Sequence, residues 1–110
     1  MNVIIIPEVR WYFYELQYIL YEKDYFSYYE DAERYVEELI DDIKKNLPAK
    51  LKSKASKHFS NRYGKGLYYA VFPKSKHTHW YAFFRIYRQD GELYYQVRHI
   101  ENNHTAAQYF

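Results

Sequence analysis

Apolar residues in the first part of the chain recur at the spacing of a helix. A short apolar run over residues 2–6 predicts a strand. Pro7 then suits the first position of a helix, because its fixed φ and missing N–H cost nothing there. We expect this first helix over residues 8–23. Its apolar positions are Val9, Tyr12, Phe13, Leu16, Ile19 and Leu20.

A second and more regular stripe predicts a helix over residues 28–46, ended by Pro48. Its apolar positions are Ala32, Tyr35, Val36, Leu39, Ile40, Ile43 and Leu47. Acidic side chains occupy most of the opposite face. Ser27 and Glu30 have the spacing of a capping box, in which each side chain satisfies a backbone N–H at the start of the helix. The two helices are expected to form a hairpin.

The pattern changes to alternation in the last third of the chain. Strands are predicted within residues 67–79, 80–88 and 93–104, with a polar connection at 74–78. Asp90-Gly91 is a strong hairpin signal between the last two strands. The expected fold is α+β: an N-terminal strand, a helical hairpin and a three-stranded antiparallel meander, with the helices packed on one sheet face. The other face is expected to be open.

Alternation along the strands assigns each side chain to a face. On the last strand it groups His99 with Leu93, Tyr95 and Val97, and it groups Ile100 with Tyr94, Gln96 and Arg98. The more polar sets contain Arg85 and Arg98, which we expect to project from the open face. There the two guanidinium groups could bind phosphate in a bidentate manner. The alternative for each is a salt bridge at the rim.

Composition limits the class of protein. A chain of 110 residues is expected to form one domain over residues 1–110. It contains no cysteine, which excludes disulfides and thiolate metal sites. No apolar run is long enough to cross a membrane, and the first residues do not resemble a secretory signal. We therefore expect a cytoplasmic protein.

Charge is distributed unevenly along the chain. Residues 1–43 contain 3 basic and 11 acidic side chains, for a net charge of −8, whereas residues 44–110 contain 13 basic and 3 acidic ones, for +10. This asymmetry suggests an anionic partner for the second part, and the alternative is a solvated acidic helix pair beside a basic sheet. The connection over residues 49–65 is rich in lysine and includes Arg62. It is either a solubilising loop or an arm that contacts phosphates.

Aromatic rings and cations in one small sheet are suited to nucleic acid, because rings stack on bases and cations hold phosphates. RNA cleavage through the 2′-hydroxyl needs a base, an acid and cations. Candidates for proton transfer are His79, His104 and Tyr109, near Lys74, Lys76 and Arg85. His77 and His79 would share a strand face, but too few ligands accompany them, so neither a metal nor a cofactor is expected.

Two stretches, residues 68–84 and 97–110, resemble a subgroup of the RelE/ParE superfamily of type II toxins. In this subgroup a Trp-Tyr-x-Phe-Phe strand, here residues 80–84, is followed by an Asn-Asn-His-x-x-x-Gln-Tyr tail, here residues 102–109. Residues 19–26 and 32–36 also fit it. The order of elements agrees as well, so the resemblance extends over nearly the whole chain.

The resemblance implies a toxin silenced by a cognate antitoxin protein. Some members of the superfamily cut mRNA on the ribosome, and others inhibit DNA gyrase without catalysis. A ribonuclease is the leading interpretation, and the alternatives are a gyrase inhibitor or a degenerate relative that only binds antitoxin or RNA. The expected catalytic residues are His79, Arg85, His104 and Tyr109. The expected RNA-binding residues are Lys74, Lys76, His77, Arg98 and Arg62. His79-Trp80 stands where an arginine is usual in ribonuclease members.

Overall fold

The computed structural model describes residues 2–106 and shows an α+β architecture. The helices are α1 (Pro7–Glu22), α2 (Tyr29–Asn46), α3 (Lys57–Tyr63) and the short α4 (Asn103–Ala106), and a 3₁₀ turn, Leu47–Ala49, follows α2. The strands are β1 (Asn2–Ile5), β2 (Ser53–Lys54), β3 (Tyr68–Pro73), β4 (His79–Gln89) and β5 (Glu92–Asn102). No helix in the described part of the chain is both long and apolar enough to span a bilayer.

The strands form one mixed sheet in the order β1-β5-β4-β3-β2. The predicted antiparallel meander, β3-β4-β5, is confirmed, and β1 lies parallel to β5 at one edge. The turn between β4 and β5 is also as predicted, with positive φ at both Asp90 (52°) and Gly91 (79°). The sheet has five strands, one more than the sequence pattern indicated, because the two-residue β2 pairs with the outer edge of β3.

One sheet face packs against α1 and α2 to form the main core. Its most deeply buried side chains come from α1, α2 and the sheet. They are Phe13, Val36, Leu39, Ile43, Phe72, Phe84 and Val97. The helix bounds agree with the predicted ones to within one residue. The predicted Ser27 cap is wrong, because Tyr28 is the N-cap of α2 and makes no side-chain cap bond. Ser27 lies before that cap, outside the helix.

The opposite sheet face is partly covered, so the prediction that all helices lie on one face is wrong. α3 packs there through Phe59, which forms a second buried cluster with Leu67 and Phe83. The ring centroids of Phe59 and Phe83 are 4.3 Å apart. Phe59 is the one buried residue of α3, so this segment lacks the apolar periodicity that would have identified it as a packed helix. We call this surface the α3 face.

A β-bulge in β5 changes which side chains share a face. Phe84 pairs with Val97 and Phe83 pairs with His99, so that Arg98 is an extra residue on β5. An extra residue reverses the alternation beyond it. His99 therefore lies on the α3 face and Ile100 lies in the main core. The predicted faces of these two residues are wrong for this reason.

Candidate functional site

Three predicted histidines, His77, His79 and His104, lie where the β3–β4 loop contacts the start of α4. Asn103 accepts a hydrogen bond from the His79 amide (2.9 Å) and donates one to the His77 carbonyl (3.1 Å). The ring of the exposed His104 is hydrogen-bonded to the hydroxyl of Thr78 at 3.1 Å. The start of α4 thus holds this loop, and His104 lies beside the loop that carries His77 and His79.

The two lysines of this loop differ in environment. Lys76 is exposed at the loop tip. The Lys74 side chain is only 17% exposed, and its Nζ lies 5.0 Å from the centre of the Tyr35 ring and 3.7 Å from the Glu38 carboxylate. Lys74 therefore packs against α2, and Lys76 is the lysine that is available to an anionic ligand.

Alternation had predicted that Arg98 projects from an open face. Arg98 instead contacts α3 and holds it in place. Its Nε donates to the carbonyl of Tyr63, the last residue of α3, at 2.6 Å. Its Nη1 donates to the side chain of Gln96 at 2.9 Å. These bonds place a positive charge at the C-terminal end of a helix, where it is favourable. The bulge supplies the extra residue that makes this contact.

Two other predicted arginines are exposed. Arg85 lies on the α3 face of β4, opposite Gln96, with its guanidinium carbon 5.6 Å from the centre of the Tyr87 ring. It lies two positions along β4 from Phe83, the cross-strand partner of His99. Arg62 lies in the last turn of α3. Both arginines leave their guanidinium groups accessible to phosphate.

The α3 face also carries a histidine–carboxylate pair that was absent from the predicted site residues. His99 Nε2 and Glu101 Oε1 are 2.8 Å apart, and the two side chains are 20% and 26% exposed. The His99 ring stacks on Tyr63, with centroids 3.9 Å apart and planes 10° apart. A carboxylate only accepts hydrogen bonds, so the proton of this bond is on Nε2. In the neutral ring, Nδ1 therefore carries the lone pair.

The other ring nitrogen of His99, Nδ1, forms no hydrogen bond to the described residues. The His99 side chain as a whole is 20% exposed. Among the described residues, the Nδ1 of His79 is the one buried side-chain nitrogen or oxygen that has no partner. An imidazole held by stacking and by a carboxylate, with its other nitrogen not engaged, has the arrangement of a general base.

A signal for this pair was present in the sequence. His99 and Glu101 are two residues apart in a predicted strand, and side chains at that spacing share a face. The stacking partner Tyr63 could not be found in the same way, because α3 was not predicted to pack on the sheet.

The remaining predicted residues lie apart from this pair. His99 pairs with Phe83 on β4. His79 precedes Phe83 by four positions, which is about 13 Å along a strand. Tyr109 falls outside the described residues. No group of three or more His, Cys, Asp or Glu side chains within residues 2–104 is arranged to hold a metal ion.

A pocket of about 520 Å³ opens on the helical side of the same sheet end. Its apolar lining includes Leu16, Leu20 and Trp80, and its rim includes Glu101 and His104. Burial, and secondarily the Glu101 charge, raises the pKa of Tyr12 to about 12. Tyr35 accepts a hydrogen bond from the Trp80 indole at 2.9 Å. Burial also raises the pKa of Tyr35, an effect that this hydrogen bond opposes.

Comparisons of this chain with protein-family models, with curated proteins and with solved structures found no match. The functional assignment therefore depends on the chemistry of the α3 face and on the sequence resemblance described above.

Proposed function

We propose that this protein is the toxin of a type II toxin–antitoxin system and that it cleaves mRNA on the ribosome. The observation that supports this proposal best is the His99–Glu101 pair, because it supplies an oriented base on a sheet face. Exposed arginines border that face at Arg62 and Arg85. The toxin would act in the cytoplasm and would be silenced there by a cognate antitoxin protein.

In the proposed reaction, Nδ1 of His99 removes the proton of a ribose 2′-hydroxyl. The 2′-oxygen then bonds to the adjacent phosphorus, and the 5′-oxygen leaves with a proton from water. The products are a 2′,3′-cyclic phosphate and a 5′-hydroxyl end. A general base contributes about 10²–10⁴-fold to the rate of such a reaction. Glu101 acts as a positioning residue, since it fixes the tautomer and the plane of the imidazole ring.

The arginines supply the electrostatic part of the proposal. The developing negative charge on the phosphorane needs a nearby cation, and Arg85 is an exposed cation on the same face, two positions along β4 from the partner of His99. Arg62, on α3, could hold a neighbouring phosphate, and Lys76, at the loop tip, a more distant one.

His99→Phe tests the proposal, because a phenyl ring keeps the stack on Tyr63 and loses both nitrogens. Wild-type protein and variant are induced in a bacterial host, and mRNA ends are mapped across the transcriptome. We expect wild-type induction to arrest growth and to produce new 5′-hydroxyl ends in translated mRNA. His99→Phe should lower the frequency of these ends at least about 100-fold. His58→Phe, on the neighbouring α3, is the matched histidine control and should leave cleavage unchanged.

Three results would contradict the proposal. Growth arrest without new RNA ends would exclude cleavage, and accumulated double-strand DNA breaks would then favour inhibition of gyrase. Absence of growth arrest would favour a degenerate relative. Unchanged cleavage by His99→Phe would remove His99 from the reaction even if the protein cuts RNA.

A further inference from the structure

α1 carries large apolar side chains on two opposite faces. Its core face buries Val9, Phe13 and Leu16. On the opposite face, four rings point into solvent. These are Trp11, Tyr14, Tyr18 and Tyr21, with exposed fractions of 62%, 50%, 44% and 38%. We call them the aromatic stripe. A surface helix usually presents charged and polar residues on this face, so a contiguous row of rings indicates an interaction surface.

The aromatic stripe has the spacing of a helix–helix seam. Its members are separated by three, four and three residues, which are the a and d positions of two heptads. Neighbouring rings contact one another: the Trp11 and Tyr14 centroids are 5.5 Å apart, and those of Tyr14 and Tyr18 are 5.4 Å apart. The hydroxyl groups of Tyr14 and Tyr18 are 3.1 Å apart. The rings therefore form a continuous ridge along the helix axis.

α2 supports one end of this ridge. The Tyr29 ring lies 5.2 Å from that of Tyr18 and 5.8 Å from that of Tyr21. Its hydroxyl donates to the side chain of Gln17 at 2.9 Å. Rings that are already held in place lose little freedom when a partner binds, which favours affinity. Tryptophan and tyrosine are also the residue types that most often dominate the energetics of interfaces.

Acidic side chains define the chemistry of the partner. Glu8, Glu15 and Glu22 recur every seven residues along one flank of the stripe, at the e positions of the same heptads. All three are exposed. The other flank carries Arg10 and Gln17, so the surface as a whole is acidic.

We propose that the aromatic stripe binds an amphipathic helix of a partner protein whose Lys or Arg side chains face Glu8, Glu15 and Glu22. In such a helix–helix interface, the charges at the e and g positions determine which partner helix binds. A second copy of this chain would bring an equally acidic flank to the interface, and an anionic membrane would be repelled. This proposal is independent of the RNA chemistry, since α1 packs on the sheet face opposite His99.

The probe is a synthetic amphipathic helix about three heptads long, with leucine at a and d and lysine at e and g. The matched peptide has glutamate at e and g. Binding is followed through the fluorescence of Trp11, because the other tryptophan, Trp80, is only 2% exposed. We expect the basic peptide to shift the Trp11 emission to shorter wavelength in a saturable manner. The acidic peptide should bind at least about tenfold more weakly, and added salt should reduce this difference.

Two variants locate the binding surface. Tyr18→Lys should weaken binding of the basic peptide at least about tenfold, because it places a charge in the centre of the stripe. Leu51→Lys, at a side chain that is 95% exposed and outside α1, is the control and should bind as wild type does. The combined replacement Glu8→Lys, Glu15→Lys and Glu22→Lys should reverse the preference towards the acidic peptide. Circular dichroism verifies that each variant is folded.

Several outcomes would overturn the proposal. Equal affinity for the two peptides would remove the charge argument, and unchanged binding by Tyr18→Lys would place the site elsewhere. A Trp11 shift that grows with protein concentration in the absence of peptide would identify a second copy as the occupant. Binding to phosphatidylglycerol vesicles that Tyr18→Lys abolishes, without peptide binding, would identify a membrane surface.

Discussion

Glu101 links the two sides of the sheet end through its charge. Its carboxylate accepts the hydrogen bond from His99 on the α3 face. The same charge contributes to the raised pKa of Tyr12 on α1, after the larger effect of burial. A carboxylate in this position favours the protonated phenol of Tyr12 and accepts the Nε2–H of His99. The residue that positions the proposed base therefore also influences the adjoining pocket.

The raised pKa of Tyr12 predicts a loss of stability at alkaline pH that Tyr12→Phe lacks. The folded state holds the phenol proton up to about pH 12, whereas the unfolded chain releases it near 10. This contribution is fully present below pH 10 and is lost as the pH rises through 12. At pH 11 its loss should cost wild type about 1 kcal/mol of unfolding free energy relative to pH 9.

Urea denaturation of both proteins at pH 9 and pH 11 measures this effect. The difference in unfolding free energy between Tyr12→Phe and wild type should move by about 1 kcal/mol in favour of the variant between the two pH values. Tyr25→Phe, at a ring that is 70% exposed, is the matched control and should show no such change. A constant difference for Tyr12→Phe would contradict the assigned environment.

Single residues also show where sequence reasoning reached its limit. Alternation correctly placed Arg85 on the sheet face opposite α1 and α2. It could not show that Lys74 would lie over Tyr35 or that Arg98 would bind the Tyr63 carbonyl. Long cationic side chains reach partners that are distant in sequence, so their contacts depend on the packing of other elements.

At the scale of elements, periodicity predicted the parts that form the main core. α1, α2 and the meander each bury a regular stripe, and their bounds follow from it. α3 and β2 belong to a charged segment with a single buried ring, Phe59, so neither shows a periodic pattern of apolar residues. The bulge at Arg98 is a local deviation that regular alternation does not reveal, and its extra residue contacts α3. The candidate site depends on both of these features.

The separate cluster beneath α3 predicts that Phe59→Ala releases α3 locally. Replacing a buried phenylalanine by alanine costs about 3–5 kcal/mol, and here the loss falls on a cluster of only three buried residues. Trypsin cleavage within residues 50–65, which contain six lysines and arginines, should become much faster. The circular dichroism of the other helices and the sheet should persist, because local opening is independent of the main core.

Phe72→Ala is the matched comparison, because Phe72 is equally buried but belongs to the main core. It should lower the midpoint of global unfolding and should not favour cleavage within residues 50–65. If Phe59→Ala instead lowers the global midpoint without early cleavage there, α3 and the sheet unfold as one unit, which would contradict the prediction.

At the scale of the whole molecule, charge is divided between the two sides of the sheet. The acidic residues concentrate on α1 and α2, which cover one face. The exposed cations Lys57, Arg62 and Arg85 lie on α3 or beside it on the other face. The charge asymmetry of the sequence is thus partly retained in space, although Lys74 lies against α2 and Glu101 lies beside His99. This division would orient an RNA strand towards the α3 face and a basic helix towards α1.

The division of charge predicts a specific salt dependence for RNA binding. Affinity for single-stranded RNA falls with salt at a logarithmic slope of about −0.7 per neutralised phosphate. If Arg85 contacts one phosphate, Arg85→Ala should reduce the magnitude of this slope by about 0.7. The ligand is a fluorescent oligonucleotide with 2′-O-methyl groups, which the proposed reaction cannot cleave.

Arg88→Ala is the control. It removes the same charge from the same strand, but alternation along β4 places Arg88 with the helix-facing side chains. Equal slopes for the two variants would show that RNA senses only the net charge and would contradict a contact on the α3 face.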